Sequence, residues 1–161
     1  MKHLGLLIVL ASVLYPSPGF SRSEWVAAPA TRQLPGTAKG KTYFWDTFAA
    51  RKGTFKFIPD SMLDDRNTLS GEFLVGRFRY TYGHLIKGVP GLYPDHDETI
   101  SEVILDCRGN LSGTLSTSYL RAGKVVHVDR TIDSEVVLMP NSGPSTVTDL
   151  CAFAADRGAG L

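Results

Sequence analysis

Cys107 and Cys151 are the only cysteines in a chain of 161 residues, 44 positions apart. Three chemistries compete for such a pair. A metal site needs further ligands at short spacing, and neither cysteine has a second Cys or a His close by. A redox pair wants Cys-x-x-Cys, which is absent. In an oxidising compartment an even pair reads as one disulfide, with two buried free thiols as the alternative. Such a bridge would be worth about 4 kcal/mol through the loop it closes. The compartment therefore matters, and the N-terminus speaks to it.

Residues 1–21 read as a secretory signal peptide. Lys2 and His3 precede an eleven-residue apolar run, Leu4 to Leu14, and Pro16 and Pro18 follow it. A spanning helix needs about 20 apolar residues, so the run is too short. Gly19 and Ser21 occupy the −3 and −1 positions of a cut before Arg22; a cut after Gly19 and a buried N-terminal helix are the competing readings. No cysteine follows the run, so no acyl anchor is expected at this end, and no second run is long enough for a membrane span after processing. Removing residues 1–21 leaves 16 basic and 16 acidic side chains, because Lys2 is the one charge lost from 17 and 16. A net charge of zero gives no electrostatic footprint for nucleic acid.

The rest reads mainly as strands. Residues 22–40, rich in Pro, Ala, Thr and Gly, are expected to form a flexible arm with Trp25 as a candidate anchor, and order is expected to begin near Lys41. Alternation then predicts strands over Lys41–Asp46, Thr54–Ile58, Phe73–Tyr82, Thr99–Cys107, Gly113–Arg121, Lys124–Arg130 and Glu135–Met139. The longest places Leu74, Phe78, Tyr80 and Tyr82 on one face and Phe73, Val75, Arg77, Arg79 and Thr81 on the other. Gly76 within it signals a bulge or a close backbone approach. Ala122-Gly123 predicts a tight hairpin, and Gly83–Glu98 reads as the longest loop.

From Pro144 to Arg157 the period changes. Val147, Leu150, Cys151 and Ala154 form one helical stripe, with Ser142 as expected N-cap and Gly158 as stop. Val103, Leu105 and Cys107 share a strand face, so a bridge between stripe and face would pin the helix to the sheet. The expected fold is α+β: an antiparallel sheet of six or seven strands with a C-terminal helix linked to it through Cys107 and Cys151.

Catalytic patterns are missing. There is no Gly-x-Ser-x-Gly elbow, Walker A or dinucleotide-binding glycine pattern. Asp64-Asp65 reads as a turn, His127 and Asp129 as a solvent-side pair, and Asp95-His96-Asp97-Glu98 as an acidic loop tip rather than a metal site. No enzyme activity, metal or cofactor is expected. The ligand-contact candidates are Arg77 and Arg79, of a type enriched at interface hot spots, and Tyr93 and His96 of the long loop.

Asp106-Cys107, Tyr119, Lys124-Val125-Val126, Met139-Pro140, Asn141-Ser142-Gly143 and Leu150-Cys151, preceded by Tyr43-Phe44-Trp45-Asp46 and Arg51-Lys52-Gly53, resemble the bacterial surface-adhesin protein E-like family over about residues 41–153. The resemblance implies an exported domain over 41–161, sometimes dimeric, whose two cysteines pair. It implies a non-enzymatic, adhesin-like protein of the bacterial envelope. Its partner would be a host matrix or plasma protein, or an envelope protein, with a homodimer also open. The protein would be periplasmic or secreted, with surface display open. A periplasmic inhibitor of a hydrolase such as lysozyme, inserting the 83–98 loop, is the alternative.

Overall fold

The structure is a computed structural model that describes residues 24–28, 40–58, 67–141 and 145–159. The signal-peptide reading of 1–21, most of the 22–40 arm, Asp64-Asp65, and Ser142 with Pro144 lie outside the described residues.

Eight strands form one mixed, largely antiparallel sheet: β1 Trp25–Ala27, β2 Lys41–Trp45, β3 Ala49–Phe57, β4 Thr68–Ile86, β5 His96–Asp106, β6 Leu111–Arg121, β7 Lys124–Arg130 and β8 Val137–Pro140. Among the described residues one α-helix, α1 Thr146–Asp156, follows the last strand. The organisation follows from two long strands that each host two partners on one edge. β5 pairs one edge of β4 through residues 74–81, so β3 (against 68–75) and β2 (against 78–81) share the other. β5 likewise takes one edge of β6, leaving β8 and β7 on the other. β3 and β8 then pair with each other in parallel through Lys56–Val137 and Phe57–Leu138. Strands β3, β4, β5, β6 and β8 thereby close a small barrel at one end. At the other end β1–β2 and β7 splay apart as two wings.

Strand alternation fills both faces of the closed end. The barrel interior holds Phe55, Phe73, Ile104, Leu115, Val136 and Leu138. The outer face packs Phe44, Leu74, Val103 and Leu105 against Leu150 and Ala154 of α1. Leu150, Ala154, Ile104, Leu105 and Leu138 have no solvent exposure. Burying a Leu of this size contributes about 2 kcal/mol, so helix docking has an apolar basis of its own. Gly76 supplies the close approach that its sequence position signalled: a Cβ there would lie 3.0 Å from Phe48 Cε1 and 3.1 Å from Leu150 Cδ2. The Ala122-Gly123 hairpin forms as expected, with φ of 49° and 74° and Arg121 opposite Lys124.

The Cys107–Cys151 disulfide is present, with Cα atoms 5.7 Å apart. It ties α1 to the end of β5. Cys107 does not share the helix-facing side of β5 with Val103 and Leu105, because β5 ends at Asp106 and Cys107 opens an exposed turn. That turn is held by Gly109 N–H donating to Asp106 Oδ1 at 2.9 Å. The bridge therefore sits at the rim of the helix–sheet interface.

Other expectations need correction. Order begins before Lys41, because Trp25–Ala27 pairs with Tyr43–Trp45 as an eighth strand. The Gly83–Glu98 loop shrinks to residues 87–95, since Ile86 pairs with His96 and the chain stays extended through Gly83 and His84. Partner strands there override weak local propensity. β3 begins at Ala49 rather than Thr54. Asp133–Glu135 is a 3-10 turn, leaving the last strand at Val137–Pro140. The N-cap of α1 is Ser145, whose Oγ accepts from Thr148 N–H at 3.2 Å, and the helix starts at Thr146.

Candidate functional site

The inward face of the barrel continues into the splayed end. Along β4 the residues Phe73 and Val75 give way to Arg77 and Arg79; along β5 Ile104 gives way to Glu102 and Ile100. The interior thus opens through Leu115 into a mouth of about 680 Å³, walled by Trp25 and Trp45 on one wing and Val128 and Arg130 on the other. Ser116 and Ser118 line its base, and Arg51 and Asp133 its lower rim. Barrel mouths are a recurrent place for ligands because the strands hold the walls while the end stays open.

Ion pairs and ring contacts order this mouth. Arg77 Nε donates to Glu102 Oε2 at 2.6 Å across β4 and β5, and Arg51 pairs with Asp133. Trp25 and Trp45 meet edge to face at a centroid distance of 5.0 Å. Arg79 lies between rings, with its guanidinium carbon 4.7 Å from the Tyr43 centroid and 5.4 Å from that of Trp25. Its Nε is shut off from solvent with no hydrogen-bond partner. Trp25 is thus the anchor that the sequence suggested, and Arg79 is what anchors it.

Tyr93 and His96 lie elsewhere, on the sheet face that also carries α1. His96 is buried, and its Nδ1 donates to the Pro94 carbonyl at 2.9 Å. The rings of Tyr82, Tyr93 and Tyr119 pack around it at 5.0–5.5 Å. Burial pushes the Tyr119 hydroxyl up, and the carboxylate of Asp129 adds to the shift. The four candidates are therefore not one site: Arg77 lines the mouth and Arg79 lies beside it against Tyr43 and Trp25, whereas Tyr93 and His96 build an aromatic nest under the 87–95 turn.

That turn is exposed at its tip but internally braced. Val89 and Tyr93 form a β-bridge, Asp95 Oδ1 accepts from Gly88 N–H at 2.8 Å, and Lys87 pairs with Asp95 at 3.1 Å. The Gly88 amide, and then Lys87, hold the Asp95 carboxyl below its ordinary value. Asp97 accepts from the Ala122 amide of the neighbouring hairpin. Leu92, at the tip, is 65% exposed. Asp95 and Asp97 thus accept from backbone amides, and among the described residues no group of three or more His, Cys, Asp or Glu is placed to hold a metal. His127 Nε2 contacts Asp129 Oδ1 at 2.7 Å on the exposed β7, as the sequence suggested.

Sequence reasoning missed Trp45, Arg51, Glu102 and Arg130 as parts of the mouth. Alternation already placed Arg77 with Arg79 on one face of their strand. Only pairing shows that these faces converge. Among the described residues no helix is long and apolar enough to cross a membrane. Compared with protein-family models, curated proteins and solved structures, the chain matched none.

Proposed function

We propose that this protein is a non-enzymatic, adhesin-like binding protein of the bacterial envelope, and that the barrel mouth is its recognition surface for a protein partner. The mouth carries the reading. It gathers Trp and Arg, the side chains that dominate interface hot spots, on a concave and partly exposed surface that the core does not consume. The disulfide fits an oxidising compartment, in line with the signal-like N-terminus and with the resemblance to the surface-adhesin family. The partner class is a host matrix or plasma protein, or an envelope protein. The test is a panel of immobilised matrix and plasma proteins probed with the mature protein and with Arg77→Ala, whose side chain is half exposed. Saturable binding weakened by the substitution is expected; no saturable binding by the wild type to any member refutes the reading.

One observation favours a second reading, inhibition of a hydrolase such as lysozyme: the braced 87–95 turn offers Leu92 on a rigid tip. A rigid loop binds a cleft with less ordering cost than a mobile one. Lysozyme activity unaffected by an excess of the protein disposes of this reading for lysozyme, and inhibition that survives Leu92→Ala removes the role of the tip.

A further inference from the structure

The charges of the mouth do not balance. Arg51 and Arg77 are matched by Asp133 and Glu102. Arg130 lines the mouth from β7, is exposed, and has no carboxylate partner among the described residues. Arg79, stacked against the Trp25 wall, has none either. Two guanidiniums are left uncompensated in and beside a concavity with apolar walls, where the field of like charges is focused. Trp25 and Trp45 meet edge to face and Arg79 lies over the Trp25 ring, so the indoles present an apolar wall to the mouth rather than parallel planes for stacking a sugar ring. The free recognition groups are the planar donor forks of arginine, which match carboxylates.

We infer that the mouth takes an acidic, extended peptide segment of the partner, with its carboxylates on Arg130 and the field of Arg79 and its apolar side chains against Trp25 and Trp45. This rests on reading the mouth as the recognition surface. The position of the only two tryptophans of the chain at this mouth supplies a direct readout, since an occupant alters their emission.

The probe is a ten-residue peptide alternating Glu with Tyr, compared with the same peptide carrying Lys for Glu. Both are titrated into the mature protein by intrinsic fluorescence and calorimetry at two salt concentrations. The acidic peptide should bind and the lysine peptide should not. Binding should weaken as salt rises, and Arg130→Gln should weaken it about tenfold. Arg130 is exposed, so the variant keeps the core, and far-ultraviolet circular dichroism checks that it does. Equal binding of the two peptides, binding of neither, or an Arg130→Gln variant with wild-type affinity overturns the inference. A panel protein that binds but is neither displaced by the acidic peptide nor weakened by Arg130→Gln also overturns it, while the binding-protein reading survives. Acidic-peptide binding lost in Arg130→Gln, with no panel protein bound, upholds the inference and removes the adhesin-like reading.

Discussion

Replacing Cys107 by Ser and Cys151 by Ala separates the two forces that hold α1. The bridge spans 44 positions, and closing a loop of that length in the unfolded chain stabilises the native state by about 4 kcal/mol. At this chain length each kcal/mol moves Tm by about 3–4 °C, so the double variant should melt about 12–16 °C lower. Its native structure should persist. Leu150 and Ala154 remain fully buried against Phe44, Leu74, Val103 and Leu105, and Phe153 keeps its ring contact with Phe44 at 5.4 Å. Cys107 is exposed, so Ser there opens no cavity. The assay is thermal and urea unfolding followed by far- and near-ultraviolet circular dichroism, with reduced wild type alongside. Reduced wild type and the double variant should agree to within about 1 kcal/mol, because both lose the same cross-link. A Tm loss under about 3 °C would show that unfolded-chain entropy is not how the bridge acts. Loss of the helical signal before the main transition would show that the bridge, not the apolar interface, docks the helix.

Three further outcomes follow from the same packing. Gly76→Val should cost about 1–3 kcal/mol in urea unfolding, because the added methyls meet Phe48 and Leu150; unchanged stability would mean that the helix does not rest on this strand. Arg79→Ala should cost about 1–2 kcal/mol and red-shift tryptophan emission, since the guanidinium no longer holds Trp25; an unaltered spectrum would refute its role as the anchor of β1. Asp95 has its folded-state value lowered, so its contribution to the 87–95 turn is present above the ordinary carboxylate value and is lost as pH falls through the lowered one. The Gly88 amide should therefore be protected from hydrogen exchange, relative to its intrinsic rate at each pH, at neutral pH and lose that protection in acid, and Asp95→Ala should lack it throughout; protection that ignores pH would exclude the carboxylate as its acceptor.

The mouth was half legible in the sequence. Arg77 and Arg79 could be assigned to one strand face, because a period of two is local. What covered that face was not local. Phe73 and Val75 lie on the same side of β4 as the two arginines, yet they face a closed barrel whereas Arg77 faces an open mouth and Arg79 lies against the Trp25 wall beside it. The change comes from the hand-over of one edge of β4 from β3 to β2, a property of pairing between distant segments. Gly, Pro and Asp signal a loop around Tyr93 and His96, but strand pairing of Ile86 with His96 buries the imidazole in an aromatic nest to which Tyr93, still in the turn, lends its half-buried ring.

The sequence by itself determined the longer strand periods, the Ala122-Gly123 hairpin, the C-terminal helical stripe and the candidate pairing of the two cysteines, which the structure bears out at the end of β5. Each depends on chemistry repeated over a few residues, or on two thiols with no other partner. Tertiary structure alone decided that five strands close into a barrel, that two wings leave its mouth open, and which arginines remain unpaired there. Those features depend on which edges meet and which charges fall within a few ångströms of each other. Distances of that kind are set by the whole folded chain, and no local pattern encodes them.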